Sequence, residues 1–276
     1  MSRWRRIRPW LFTLVGVLIA GFYLFPVYWM YASSFKLSGE IFSRPPTLFP
    51  QEPSLAAYRW VFLRENVGLY LRNSFIIAIA TTVLTLGMGA TAAYALSRIR
   101  SRLIDAVLLF ILISQVLPPA LMATPLFVIF RQLDLTNTLW AVIIANTTKT
   151  LPFAIIVLRT TFLQVPLELE EAARVDGCSR FSALLRVILP VARSGVIVSG
   201  TLAFLLAYGD FVYGVSFLSR RALQPATVGL YSFVGAEYAD WSNIMAFASV
   251  LVTPVLVIFL ILQRQIVRGL TAGAIK

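Results

Sequence analysis

Histidine is absent from this chain, and cysteine occurs once, at Cys178. Those two absences exclude a disulfide framework and a Cys/His metal site, and leave Cys178 as a small, partly buried residue. No Gly-Lys-Ser/Thr ending occurs, so the chain carries no phosphate-cradling loop of its own. No Ser/His, metal-ligand or paired-carboxylate constellation is visible either, which argues against an intramembrane enzyme. Acidic residues are scarce, 12 against 24 lysines and arginines, and charged residues of both signs make up only 13%. The resulting net charge of +12 would suit a nucleic-acid binder. The arginines sit at the ends of apolar segments, however, as membrane topology requires, and nucleic acid is not an expected partner. Internal repeats and low-complexity linkers are also missing.

Apolar residues are what the chain has in excess. They make up 59% of it, well above the usual share of a soluble domain, so lipid contact is expected rather than a larger core. A spanning helix needs about 20 mostly apolar residues. Six runs qualify: Leu11–Tyr31, Arg72–Ser97, Leu103–Phe130, Leu139–Leu163, Gly195–Leu218 and Asn243–Leu262. Arg3, Arg5, Arg6 and Arg8 precede the first run, as in a signal peptide. That run covers about 21 residues, beyond the usual apolar region of roughly 7–15, and reads as a retained anchor and first span.

With the N-terminus inside, fifteen Lys and Arg residues fall on the cytoplasmic side and eight outside, with Lys149 within a span. The inner set includes Arg98, Arg100, Arg102, the arginines of the 163–195 segment, Arg264, Arg268 and Lys276. The bias places both termini in the cytoplasm. The fold expected is an all-α membrane protein with six transmembrane helices. It divides into a basic N-terminus (1–10), a first span with an external loop (11–71), a five-span core (72–265) and a cytoplasmic tail (266–276). The external loop holds Pro45, Pro46, Pro50, Pro53 and Trp60, with a short helix expected around Ser54–Leu63.

The loop between spans four and five has internal order. Pro166 suits the first turn of a helix, and Glu168, Glu170 and Glu171 favour its positive end. Glu170 precedes Arg174 by four residues, a favourable exposed pair. Leu169, Ala172 and Ala173 form another face on which a partner could approach closely, and Gly177 ends the helix. Phe181, Leu184, Leu185 and Ile188 then repeat at helical spacing as an apolar stripe expected to face the membrane part, with Pro190 at its end. From these residues alone the hairpin is either a grip for another protein or a tie between two spans.

Glu171-Ala172-Ala173, three residues, Gly177, nine residues and Val187-Ile188-Leu189-Pro190 resemble the EAA loop of binding-protein-dependent ABC importer permeases. Val187 stands where the family usually has Ile. Asn73-Ser74 through Ala92-Ala93-Tyr94-Ala95-Leu96-Ser97-Arg98, Pro152-Phe153 and Pro166-Leu167-Glu168-Leu169 extend the similarity. Gly269–Lys276 resembles the tail of the carbohydrate-uptake, MalG-like branch. The resemblance implies a permease subunit in a prokaryotic cytoplasmic (inner) membrane that moves a sugar by alternating access. It implies as partners a second homologous permease, two ATPase subunits that bind the ATP and Mg, and an extracytoplasmic solute-binding protein. It also implies that the EAA loop, with Glu170, Glu171, Ala172, Ala173, Asp176 and Gly177, couples to the ATPase, and that no cofactor belongs to this chain.

Polar residues inside spans are costly and count as functional candidates. Lys149, in span four beside Asn146 and Thr147, and Asp210, in span five beside Tyr208 and Tyr213, lie at similar depths and could pair. They either fasten two helices or line a sugar path to which Asn146, Tyr208 and Tyr213 add hydrogen bonds and ring faces. The family usually has Trp-Asn before the acidic position, where this chain has Tyr208-Gly209. Pro118 and Pro119 cannot continue a helix ladder, so span three must bend or break there, as a gate, a cavity wall or a static kink. Two other readings stay open: an ABC permease for another solute, such as glycerol phosphate or an amino acid, and an ion-driven secondary transporter.

Overall fold

A computed structural model describes residues 2–99, 101–234 and 240–271, with side chains described except at 2–9, 11, 234 and 264–271. The described residues contain helices and no strand. In chain order the helices are α1 (Ser2–Ser34), α2 (Ser38–Ile41), α3 (Ala56–Leu63), α4 (Val67–Arg98), α5 (Arg102–Ser114), α6 (Pro119–Gln132) and α7 (Leu139–Leu163). They continue with α8 (Leu167–Val175), α9 (Arg180–Val191), α10 (Arg193–Tyr208), α11 (Val212–Phe217), α12 (Ala226–Val234) and α13 (Trp241–Thr271). Among the described residues, α4, α7, Phe12–Ser34 of α1 and Trp241–Gln263 of α13 are long and apolar enough to cross a membrane. Two bent pairs, α5 with α6 (98°) and α9 with α10 (87°), raise the possible total to six.

Span four occupies Leu139–Leu163, the expected bounds. Span three breaks where the double proline lies: α5 ends at Ser114, Pro118 takes an extended ψ of 136°, and Pro119 opens α6. Span five corrects the expectation of one helix over Gly195–Leu218. Helix α10 stops at Tyr208, and α11 starts at Val212 after the Gly209-Asp210-Phe211 break. Sixteen residues of α10 rise about 24 Å, short of a hydrocarbon core about 30 Å thick. The first, second and sixth spans run beyond their apolar cores, to Ser2–Ser34, Val67–Arg98 and Trp241–Thr271. The expected external helix appears as Ala56–Leu63. Arg100, the tail after Thr271 and the side chains of Arg3, Arg5, Arg6, Arg8, Arg264 and Arg268, used above for orientation, lie outside the described residues or side chains.

The chain divides into two compact units where one membrane domain is expected. The first comprises Met1–Val67 and Leu230–Thr253. Polar ties hold it together: Tyr31 to Thr253 (2.8 Å), Ser34 to Tyr58 (2.8 Å) and the Ser242 hydroxyl donating to the Lys36 carbonyl (2.8 Å). Among the described residues much of the apolar surface of α1 is open, with Phe22 77% and Leu18 63% exposed. A contiguous apolar surface of that size is not left to water; it suits lipid or a partner helix.

The second unit comprises Gly68–Gly229 and Pro254–Lys276. One core joins α4, α6, α7 and α11 through Ile77, Phe130, Val142, Tyr213 and Phe217. Another seats α9 on α4 and α7 through Ala93, Leu158, Phe162, Leu184 and Ile188. Helix α10 approaches α7 closely at Gly195, where an added Cβ would sit 2.3 Å from the Thr161 hydroxyl oxygen. Some buried hydroxyls find partners, such as Thr85 with Thr150 at 2.7 Å, whereas the Ser199 hydroxyl is buried without one among the described residues.

Candidate functional site

The 166–190 segment forms two helices joined at Gly177. Pro166 stands one residue ahead of α8, at its N-cap, with Glu168 and Glu170 in the first turn. Beyond α8 the Gly177 N–H donates to the Arg174 carbonyl (3.1 Å) and the Cys178 N–H to the Ala173 carbonyl (2.9 Å). This is a Schellman ending. It needs a left-handed residue, and Gly177 supplies it with a φ of +88°. Ser179 caps α9 by accepting from the Ser182 N–H at 3.2 Å. Ahead of Pro190 the turn widens over Leu184–Ile188, and the Leu189 N–H reaches back five residues to the Leu184 carbonyl.

Glu170 corrects the sequence reading. It is 7% exposed and does not form the expected surface pair with Arg174. Its carboxylate takes a hydrogen bond from the Tyr94 hydroxyl and an ion pair from Arg98 Nε at 2.7 Å. Arg98 also donates to the Phe162 carbonyl at 3.2 Å. Burial raises the Glu170 pKa, but the hydrogen bonds from Tyr94 and Arg98 and the charges of Arg98 and Arg174 outweigh it and hold the carboxyl below its ordinary value. Helix α8 is thereby bolted to the end of α4.

The opposite face of α8 is open. Glu168, Glu171, Ala172, Val175 and Asp176 are exposed at helical spacing, and Gly177 follows them. Ala173 is buried beside Glu170 and does not share a free face with Leu169 and Ala172 as expected. Val175, 88% exposed, is the apolar member of this ridge that sequence reasoning missed; its spacing three residues after Ala172 was the available signal. In α9, Leu184 and Ile188 are buried as expected, whereas Phe181 (58%) and Leu185 (49%) are not. Those two line an apolar groove of about 230 Å³ with Leu86, Ala90 and Leu158.

The second cluster lies deep in the spans. Lys149 Nζ stands 4.0 Å from Asp210 Oδ1, with side-chain exposures of 26% and 3%. The other carboxylate oxygen accepts from the N–H groups of Tyr213 (3.1 Å) and Gly214 (3.2 Å), so Asp210 caps α11. Thr227 donates to the Asp210 carbonyl at 2.6 Å. The break in span five is therefore satisfied from within the protein, as backbone at membrane depth must be. A cavity of about 410 Å³ is bounded by Lys149, Tyr213 and Pro119 together with Ser114, Gln115 and Thr148.

Three of the expected pathway residues thus meet on one wall, while the others stand away from it. Pro118 forms the turn before α6. Asn146 is fully buried, its Nδ2 donating to the Val142 carbonyl at 3.1 Å. Tyr208 is 2% exposed and packs into an aromatic cluster rather than the cavity, stacked on Phe204 at 5.8 Å and edge-on to Phe75 at 5.4 Å. Gln115, Thr148 and Ser114 were missed because their partnership depends on the bend between α5 and α6.

Residues 84–272 match the model of the binding-protein-dependent transport system inner membrane component. The chain belongs to that family. Its members are multi-pass transport components, not enzymes. Over 269 residues the chain is 36% identical to a sulfoquinovosyl glycerol transport system permease protein of Agrobacterium fabrum, covering 98% of this chain and 94% of that one. It is 34% identical over 278 residues to a trehalose transport system permease protein of Mycobacterium tuberculosis, covering 99% and 98%. In fold it resembles a chain from the crystal structure of a bacterial ABC transporter involved in the import of the acidic polysaccharide alginate. That similarity has a TM-score of 0.82 at 20% identity and covers 96% of this chain and 98% of that one.

Proposed function

We propose that the chain is the permease subunit of an ATP-driven sugar importer of a prokaryotic cytoplasmic membrane, with both termini and the 166–190 segment on the cytoplasmic side. The observation that carries the coupling role is the two-faced α8. One face is fixed to α4 through Glu170, Arg98 and Tyr94, and the other presents Glu171, Ala172, Val175 and Asp176, all exposed among the described residues. A helix fixed on one side and free on the other transmits a push instead of absorbing it. Two ATPase subunits, which hold the ATP and Mg, seat against that free face. Closure of the ATPase pair moves α8 and α9, and with them α4 and α7, so that this chain and a second homologous permease alternate between outward and inward access. An extracytoplasmic binding protein delivers the solute. Sugar as the class is supported by the sulfoquinovosyl glycerol and trehalose systems named for the relatives.

The test is reconstitution of the complete transporter in liposomes, with ATP hydrolysis and sugar uptake read together. Ala172→Trp, which places bulk on the free face, is expected to abolish co-purification of the ATPase and uptake while the permease pair still assembles. Retention of ATPase binding and full uptake in that variant would overturn the coupling role. Uptake that continues without ATP or ATPase subunits would favour an ion-driven carrier instead.

A further inference from the structure

Lys149 has no full partner inside the chain. An ammonium carries three N–H donors, yet among the described residues Lys149 Nζ forms only the 4.0 Å contact with Asp210. Asp210 is itself engaged: one oxygen is held by two N–H groups of α11, and the residue lies behind the cavity wall instead of lining it. Lys149 is the one charged residue among the described residues bounding the 410 Å³ cavity, and no carboxylate faces it there. Two hydroxyls on the same wall are directed away from any solute. The Ser114 hydroxyl donates to the Ile111 carbonyl at 2.7 Å and the Thr148 hydroxyl to the Ala145 carbonyl at 2.8 Å. The fourteen-residue α6 adds the positive end of its dipole, because it begins at Pro119 on that wall.

A cation with spare donors and a helix N-terminus border the cavity, while the counter-ion Asp210 lies behind its wall, so the potential on the cavity side is biased toward positive. At membrane depth such a potential is weakly screened and selects for the opposite charge. We propose that the solute passing Lys149 is a sugar bearing an anionic group — a carboxylate, sulfonate or phosphate — that takes the donors left by Asp210. Asp210 then acts as the resident counter-ion, neutralising Lys149 between solutes, while the incoming anion forms the shorter, charge-assisted contact. This deepens the reading of the chain as a sugar permease and rests on it.

The experiment gives the complete transporter in liposomes a mixed pool of neutral oligosaccharides, uronate-bearing oligosaccharides, sulfoquinovosyl glycerol and a sugar phosphate. Mass spectrometry reads what accumulates. The expected result is accumulation of anionic sugars alone. The double variant Lys149→Gln with Asp210→Asn, which leaves no buried charge unpaired, is expected to lower that accumulation about tenfold or more, the worth of a charged hydrogen bond. Lys149→Arg is expected to retain most of it. Size-exclusion chromatography checks that each variant assembles, and a failed assembly of the double variant passes the decision to the wild-type profile and Lys149→Arg. Accumulation of neutral sugars, or of anionic sugars to the same extent by the double variant, overturns the proposal and leaves the sugar permease standing. Accumulation of no sugar while the transporter carries another solute overturns both.

Discussion

Two carboxylate–cation pairs lie in the same unit of this molecule and are built for opposite ends. In the Glu170–Arg98 pair the partners meet at 2.7 Å, and Tyr94 and the Phe162 carbonyl take up further positions around them. In the Lys149–Asp210 pair the charges stand 4.0 Å apart. The acid is spent mainly on capping α11, and the base borders a cavity. The first is a fastening whose carboxylate takes both a cation and a hydroxyl, although Arg98 Nη2 is buried without a partner among the described residues. The second is left incomplete on its open side, and that incompleteness keeps a charge available at membrane depth. The contrast teaches that an ion pair in a helical bundle is read by what its atoms do besides pair.

Removing one partner of the fastening is expected to have the largest effect. Arg98→Ala leaves a buried carboxylate without its cation, which costs about 3–5 kcal/mol when such a pair is broken from one side. The expected outcome is a permease that unfolds at markedly lower temperature in detergent and loses coupled uptake. An unchanged melting curve would erase the distinction between the two pairs. The cavity pair is expected to respond differently to a charge exchange. Lys149→Asp with Asp210→Lys should restore little of what either single change loses, because a lysine cannot accept the Tyr213 and Gly214 N–H groups. Asp210→Asn, which keeps an acceptor, should lose about 1 kcal/mol less stability than Asp210→Ala, the worth of a helix cap. Equal melting temperatures for the two would show that the cap is unimportant.

Helix packing beside the fastening gives a sharper control without charge. Gly195→Leu drives a side chain into Thr161 and is expected to cost about 1–3 kcal/mol, read as loss of assembled complex on size exclusion. Smaller still, Tyr94→Phe removes one hydrogen bond to Glu170 and should cost about 0.5–1.5 kcal/mol. The pH dependence should fall on the fastening. A carboxyl held below its ordinary value adds stability that is fully present above 4.5 and is lost as pH falls beneath it. Melting temperature measured from pH 6 downward should therefore drop less in Glu170→Gln than in the wild type, relative to each at pH 6.

Much of this was legible in the chain itself. Span four is bounded by its apolar run alone, and the helix occupies the same residues, with Thr138 extended ahead of Leu139. The break at Pro118 and Pro119 follows from covalent chemistry. The hidden parts are those where a long apolar run conceals a local polar choice. Within Gly195–Leu218 one helix is told from two only when Asp210 is seen accepting from Tyr213 and Gly214 and standing 4.0 Å from Lys149. Glu170 reads as a surface acid in its own helix and becomes a buried one only because α4 brings Tyr94 and Arg98 to it.

By itself, the sequence determined the number of apolar runs, the breaks that proline imposes, the glycine turn at Gly177 and the two intramembrane charges, since each depends on residues close together in the chain. Only the tertiary structure decided which face of α8 is free, that Tyr208 belongs to the core, and that Lys149 borders a cavity while Asp210 stands behind it. The physical reason is the same throughout. Apolar periodicity sets where helices form, but a polar group's role is fixed by its partners, and for Glu170 the cation that satisfies it, like the Lys149 that Asp210 faces, lies more than sixty residues away.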